Sequence, residues 1–197
     1  MTGSNKLKRI IKEHGGIITA SLAKKNNIHR EYLSHLVKEG ELERVSHGVY
    51  VAPDVWEDFL FINQLKRTKV IYSHETALYL HDLTDRDPVQ YVVTVPQGYN
   101  TARLKKGGMI VHTVKKEWFE LGVCLKKTTF GNEVRTYNME RTICDVLRDR
   151  SNQDPAIVND ALKRYFKRKE KDLNKLMKYA SELKIETVLR TYLEVLL

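Results

Sequence analysis

Hydrophobic residues recur at helical spacing near the start of the chain, in short segments separated by polar turns. Leu7 and Ile10 share one face of a first helix, and the glycine pair at 15–16 suits a left-handed helix C-terminus. Thr19 is a good N-terminal cap for a second helix, which ends at the polar residues 24–27. The pattern therefore predicts two helices, of which the second is very short.

The next segment combines a longer amphipathic helix with a hairpin. A helix is predicted over residues 29–39, because Gly40 follows the last apolar position. Its predicted apolar stripe consists of Tyr32, Leu33, Leu36 and Val37. Short strands follow at 42–45 and 49–51, and Gly48 supplies the positive φ of the turn between them. This order of elements is typical of a winged helix-turn-helix, which inserts its recognition helix into the major groove.

The rest of the chain first alternates strand-like and helical patterns and then becomes helical. Strands are predicted at 70–72, 89–95, 109–114, 123–129 and 134–137. We therefore predict an α+β fold of two domains: a winged helix-turn-helix at residues 1–53 and a larger mixed α/β domain at 54–197. In the second domain, strands and helices mix over 54–149, and residues 150–197 form a helical bundle.

The basic charge of the chain predicts a polyanionic partner. The net charge is +9, and the sequence pI is about 9.4. Residues 1–53 contribute +4, residues 54–149 contribute +1, and residues 150–197 contribute +4. The excess of lysine and arginine therefore lies in the predicted DNA-binding domain and in the C-terminal helices.

Polar side chains on and beside the third helix are the candidates for DNA contacts. Those suited to phosphates are Lys24, Lys25, Lys38, Arg44 and His47. Those placed to meet base edges are Arg30, Ser34 and His35, and His29 suits either role. The alternative is a small helical subdomain whose polar face is only solvated, as on any amphipathic helix.

The composition argues against a disulfide, metal, membrane or secreted protein. Cys124 and Cys144 form no Cys-x-x-Cys pair, and no apolar run approaches the roughly 20 residues that a membrane span needs. The first residues lack the apolar core of a signal peptide, so we expect a cytoplasmic protein. We predict no metal and no cofactor.

Two clusters of polar residues raise the question of catalysis. The first consists of His74, Glu75, His81, Asp82 and Asp85, and its spacing does not match the His-Glu-x-x-His zinc motif. The second consists of Glu140, Arg141 and Asp145, in which the last two form an ordinary i, i+4 helix pair. Packing and capping explain both clusters, so we predict no catalytic residues and no enzyme.

Three segments carry a resemblance to a known family. They read SHETALYLH at 73–81, VTVPQGYN at 93–100 and ERTICD at 140–145. In this order they resemble the successive signatures of the AbiEi family of antitoxins. The resemblance extends over nearly the whole chain, including the N-terminal winged helix and the helices from 162 to 180.

The resemblance implies a bacterial antitoxin of a type IV toxin-antitoxin system, which causes abortive infection and phage resistance. Such a protein represses its own operon by binding inverted repeats in double-stranded DNA. Its C-terminal domain counteracts a toxin that resembles nucleotidyltransferases, with direct contact left open. A monomer in solution with cooperative binding of several copies on DNA fits this role. Our candidates for the toxin contact are the basic residues Lys163, Arg164, Lys167 and Arg168.

Two other functions compete with this interpretation. Basic helices also suit an RNA-directed or nucleotidyl-transfer enzyme acting on a polyanion such as tRNA, and a purely protein-binding adaptor is a third alternative. No carboxylate pair in a strand context suits two-metal nucleotidyl transfer. We therefore favour the DNA-binding antitoxin.

Overall fold

The computed structural model describes residues 3–196, with the side chains of residues 5–194, and it divides the chain into two compact units. The N-terminal unit extends to Lys66 and includes Thr129–Asn132, and the C-terminal unit comprises Arg67–Thr128 and the residues from Glu133 onward. Residues 1, 2 and 197 of the predicted domains lie outside the described residues. Among the described residues, no helix is both long and apolar enough to cross a membrane.

The N-terminal unit has the order of elements of a winged helix. Its helices are α1 (Gly3–Glu13), α2 (Ala20–Lys25), α3 (Arg30–Lys38) and α4 (Phe59–Lys66), and its strands are β1 (Ile17–Thr19), β2 (Glu43–Ser46) and β3 (Val49–Val51). The strands form an antiparallel sheet in the order β1-β3-β2. The sequence pattern misses β1, because a strand of three buried residues shows no alternation and its partner β3 lies far along the chain.

Local polar contacts fix where the short helix α2 begins and how it meets the hairpin. Thr19 caps α2 as predicted, since its Oγ1 accepts a hydrogen bond of 3.0 Å from the Leu22 amide. The Ala20 amide donates to the carbonyl of Gly48, which has the positive φ that the predicted turn requires. The core beneath consists of Leu7, Ile10, Ile18, Ala23, Ile28, Leu33, Leu36, Leu42 and Tyr50.

The boundary predicted after residue 53 is wrong, because the N-terminal unit continues through α4. Ile62 of this helix is buried against Ile17, Val49 and Val51. The helix begins at Phe59, and Asp58 accepts a hydrogen bond of 3.0 Å from the Phe61 amide. A helix that buries its apolar side on the β1-β3-β2 sheet belongs to that domain.

The C-terminal unit is a mixed sheet followed by helices. Its strands are β4 (Ile71–Tyr72), β5 (Val92–Pro96), β6 (Ile110–Val114), β7 (Val123–Lys127) and β8 (Glu133–Tyr137). Its helices are α5 (His74–Leu80), α6 (Ala102–Lys106), α7 (Lys116–Phe119), α8 (Met139–Arg148), α9 (Pro155–Lys167), α10 (Leu173–Glu182) and α11 (Glu186–Leu196), with a 3₁₀ turn at Arg150–Asn152. The strand order is β6-β5-β4-β8-β7, parallel between β5 and β6 and between β4 and β8. The predicted α+β class is confirmed.

Helix α8 lies at the centre of the C-terminal unit and contacts α5, α9, α10 and α11. Its residues 140–147 are all buried, polar ones included. The apolar core around it includes Leu78, Ile143, Val146, Leu147, Val158, Leu162, Tyr165, Leu176 and Leu189. A helix enclosed on every side must pair its own polar groups, because each unpaired one would carry a desolvation cost.

Arg141 forms a buried ion pair rather than the ordinary i, i+4 helix pair that the sequence predicts, and its Nη2 is buried without a hydrogen-bond partner among the described residues. Its Nε lies 3.0 Å from both carboxylate oxygens of Asp145, and its Nη1 donates to the carbonyls of Trp118 and Leu121 at 2.6 and 2.8 Å. The guanidinium also lies 4.2 Å above the ring of Tyr137. Burial raises the pKa of Asp145, against the opposing attraction of Arg141.

Replacing Arg141 by alanine should lower the free energy of unfolding by about 3 to 5 kcal/mol, because the Asp145 carboxylate would remain buried without its partner. Arg190→Ala is the matched control. It breaks another i, i+4 pair, to Glu186, in which the side chains are 61% and 42% exposed, and it should change stability by less than about 1 kcal/mol. Urea denaturation followed by circular dichroism measures both, and equal losses would contradict the structural role of Arg141.

Acid should destabilise the C-terminal unit through His81. Its Nε2 lies 2.7 Å from the Tyr137 carbonyl oxygen, and burial lowers its pKa from 6.5 to about 4. The unfolded chain therefore takes up a proton at a higher pH than the folded one. The stability contributed by neutral His81 is complete above pH 6.5 and is lost as the pH falls toward 4.

His81→Gln keeps an N–H donor and does not titrate, so it should flatten the fall in unfolding free energy across this pH range. Some slope should remain, because burial also lowers the pKa of His74. Urea denaturation at a series of pH values tests this, with the exposed His14→Gln as control. An unchanged slope in His81→Gln would assign the acid sensitivity to other groups.

Candidate nucleic-acid interface

The turn between α2 and α3 is built by two asparagines. The Asn26 side chain donates to the Leu22 carbonyl at 3.0 Å, and Asn27 adopts the left-handed backbone with φ of 58°. His29 is the N-terminal cap residue of α3, but its side chain makes no capping hydrogen bond. The imidazole of His29 is therefore exposed beside Glu31, with 3.8 Å between Nδ1 and the carboxylate.

Helix α3 separates an apolar side from a polar side. Leu33 and Leu36 are buried at 0% and 2% exposure, and Val37 is partly buried. Four predicted contact residues of this helix are exposed: Arg30, Ser34, His35 and Lys38. The helix thus presents hydrogen-bonding side chains to solvent along its whole length, as a recognition helix must.

Tyr32 corrects the predicted apolar stripe of α3. It is 40% exposed and lies with the polar residues, because the helical rotation places it outside the arc of Leu33 and Leu36. Sequence reasoning counted it as apolar and so missed it as a surface residue. An exposed aromatic ring with a hydroxyl group can pack on a sugar or donate to a phosphate.

Some basic side chains of α2 and α3 form an ion pair with a carboxylate within the protein, and others do not. Within the described residues, no ion pair joins Lys24, Lys25, Arg30 or Lys38 to an acidic side chain. His35 instead contacts Glu39, with 2.9 Å between Nδ1 and the carboxylate. The four unpaired cations can meet phosphates without first breaking an internal contact.

The hairpin between β2 and β3 forms the wing. Ser46 pairs with Val49, which leaves His47 and Gly48 as the turn. Arg44 lies against His47, with 3.2 Å between its Nη2 and the ring Nδ1, and both side chains are exposed. Arg44 in β2 and His47 in the turn therefore lie side by side on the wing, and their predicted contacts with phosphates stay a prediction.

The basic residues predicted to contact the toxin divide into two kinds. Lys163 and Lys167 are exposed on α9. Arg164 is bound by two carboxylates, at 2.8 Å from each of Asp160 and Asp85, and its hydrogen bond holds the pKa of Asp85 below the ordinary value.

Arg168 is also used within the C-terminal unit. Its Nη2 donates to the carbonyls of His81 and Asp82, at 2.9 Å each, and so satisfies the end of α5. Together with the carboxylate contacts of Arg164, this means that two of the four candidates hold α9 against the segment after α5. Their guanidinium groups are not free for a partner, whereas the two lysines are.

Comparison with known proteins adds to this geometry. Residues 5–53 match a family model described as "Transcriptional regulator, AbiEi antitoxin". The crystal structure of the RV2827C protein from Mycobacterium tuberculosis is similar in fold, with a TM-score of 0.52 at 9% sequence identity, over 98% of this chain and 81% of that chain. At that identity the likeness concerns the fold alone. No curated protein matches the chain.

The family match covers α1, α2, α3 and the wing, which are the elements that carry every predicted DNA-contact residue. It agrees with the resemblance seen in the sequence and with the order of the elements. Residues 5–53 of this chain are therefore similar to the family described as AbiEi antitoxin transcriptional regulators.

Proposed function

We propose that the chain is the antitoxin of a type IV toxin-antitoxin system and represses its own operon by binding DNA through the N-terminal unit. The observation that carries the proposal is the surface of α3, where Arg30, Ser34, His35 and Lys38 are all exposed opposite the buried Leu33 and Leu36. A regulator family match over this same segment supports it.

The proposed docking follows from the positions of the side chains. Helix α3 enters the major groove, where Arg30, Ser34 and His35 meet base edges. The lysines at the end of α2 and the wing residues Arg44 and His47 contact phosphates on either side. The His29 side chain makes no capping hydrogen bond, so in this arrangement it adds a DNA contact at the start of α3.

We further propose that two or more copies bind inverted repeats in the promoter. One winged helix reads only a short half-site, and a repeated site matches the symmetry of paired copies. This arrangement needs no dimer in solution, because cooperativity can arise on the DNA. The chain acts in this proposal by binding and not as an enzyme.

The second proposed role, neutralisation of a nucleotidyltransferase-like toxin, is assigned to the C-terminal unit. Lys163 and Lys167 are the candidates for contact with the toxin or with an anionic molecule that it uses, because both ammonium groups are exposed. Arg164 and Arg168 support the same helix from within the unit. The proposed contact surface is therefore smaller than the four residues of the sequence-based proposal.

Arg30→Ala and His35→Ala should each reduce the preference for operator over random DNA, by about 1 to 3 kcal/mol per lost base contact. Lys24→Ala should instead weaken both affinities alike and lower the salt slope by roughly one. Salt-titrated binding measurements on the chain's own promoter and on random DNA test this, and a protein titration at a promoter concentration above Kd gives the number of copies bound.

The control is Lys178→Ala, which removes the same charge from an exposed position of α10 in the C-terminal unit. It should leave both affinities nearly unchanged. Operator preference that survives in Arg30→Ala and His35→Ala would contradict the assignment of base contacts to α3. A footprint with one unrepeated site and one bound chain would contradict the inverted repeats.

Charge reversal of Lys163 and Lys167 to glutamate should abolish rescue of growth when antitoxin and toxin are co-expressed. The matched control reverses Lys105 and Lys106, two exposed lysines of the same unit.

A variant with Lys24, Arg30 and Lys38 changed to alanine should lose promoter binding and still rescue growth. Failure of this alanine variant to rescue growth would overturn the separation of the two roles. Rescue by the variant with Lys163 and Lys167 changed to glutamate would overturn the assignment of the toxin contact to α9.

A further inference from the structure

Three elements of the C-terminal unit bring two imidazoles and a carboxylate together. His74 begins α5, His112 lies in the middle of β6, and Asp149 directly follows α8. One potential ligand atom from each lies within 4.8 Å of the other two. In the sequence the nearest histidine to His74 is His81, the C-terminal cap of α5, whereas the fold places His74 against His112.

The two histidine rings are stacked, with 3.8 Å between their centroids and 18° between their planes. The ring of His112 also faces Asp149, with 3.9 Å between Nε2 and the carboxylate oxygen. The parallel register of β5 and β6 aligns Thr94 with His112 and so fixes where the His112 ring lies along the strand. His74 has φ of 47°, an uncommon conformation for a residue with a side chain.

Neighbouring polar groups orient the three side chains. Nδ1 of His74 lies 3.0 Å from Oγ of Ser73, which also accepts a hydrogen bond of 2.9 Å from Oγ1 of Thr94. With Nδ1 engaged, His74 presents Nε2. Asp149 accepts hydrogen bonds from Asn152 at 2.7 Å and from Gln153 at 3.2 Å. Contacts of this kind, behind the ligand atoms, fix the ring orientation and the carboxylate in protein metal sites.

We propose that His74, His112 and Asp149 bind one divalent transition-metal ion of the zinc class. Two imidazole nitrogens and one carboxylate oxygen are donors that Zn²⁺ accepts, and three protein ligands leave a fourth position for water. His74 is buried, whereas the side chains of His112 and Asp149 are 26% and 20% exposed. The ion can therefore enter from solvent at the side of β6 and α8.

The surroundings set two conditions on binding. Arg141 and Arg148 place positive charge near His74, which opposes the binding of a cation. Asp145 offsets the charge of Arg141, and the guanidinium of Arg148 lies over the ring of Trp118, 5.0 Å from its centroid. The stacked rings must also move apart, because their in-plane lone pairs have to converge on one ion. Bound metal would then join α5, β6 and the end of α8. This inference does not depend on the proposed DNA-binding and antitoxin roles.

The test uses the full chain, freed of metal with a chelator and titrated with Co²⁺ and then Zn²⁺. The wild-type chain should bind one equivalent of Co²⁺ with visible absorption bands, release it to Zn²⁺, and melt at a higher temperature with Zn²⁺ present. His112→Phe keeps a ring against His74 but lacks the nitrogen, and Asp149→Asn keeps the shape of the side chain. Each should weaken binding by at least about 100-fold.

His14→Asn, at an exposed histidine of the N-terminal unit, is the control and should bind like the wild type. Circular dichroism of the metal-free variants shows whether the fold is kept, and Asp149→Asn serves if His112→Phe does not fold. The proposal is overturned if the wild-type chain shows no Co²⁺ bands. It is equally overturned if the folded ligand variants bind as tightly as the wild type.

Discussion

The buried guanidinium of Arg141 is the constraint on which the C-terminal unit depends. It joins α8 to the carbonyls of Trp118 in α7 and of Leu121 just after α7, and it lies over the ring of Tyr137 at the end of β8. Gly122 permits the close approach of this segment to α8, because a Cβ at that position would lie 2.7 Å from the Cβ of Arg141. One charged side chain thus links the sheet, the α7 segment and the central helix through its Nε, its Nη1 and its stacking on Tyr137, whereas its buried Nη2 has no hydrogen-bond partner within the part of the chain that the structure describes.

Another buried polar residue of α8 also forms hydrogen bonds with the surrounding helices. The carboxylate of Glu140, which is 4% exposed, accepts hydrogen bonds of 3.2 Å from the Tyr165 hydroxyl and the Asp172 amide. Those contacts tie α9 and the start of α10 to the central helix. Arg164 and Arg168 fasten the outer side of α9 to the segment after α5. These arginines therefore hold the helices of the unit together, whereas Lys163 and Lys167 of α9 remain exposed.

In the N-terminal unit, the polar side of α3 stays exposed while its apolar side packs on a small core. Leu33 and Leu36 anchor α3 from one side only, and the hydrogen bond from Ala20 to Gly48 ties the wing to the start of α2. Among the described residues, Lys24, Lys25, Arg30 and Lys38 form no ion pair with a carboxylate, whereas Arg141 and Arg164 of the C-terminal unit do. Similar basic residues are thus left exposed in the N-terminal unit and are used in ion pairs that hold the C-terminal unit together.

The sequence by itself determined the local features: the cap at Thr19, the turn at Gly48, the amphipathic α3 and the α+β class, because these depend on residues close together in the chain. Tertiary structure alone decided that Arg141 is buried, that α4 belongs to the N-terminal unit, and that His74 meets His112. Periodicity shows which side of a helix is apolar. It does not show what covers that side, nor which distant residue a strand register brings beside it.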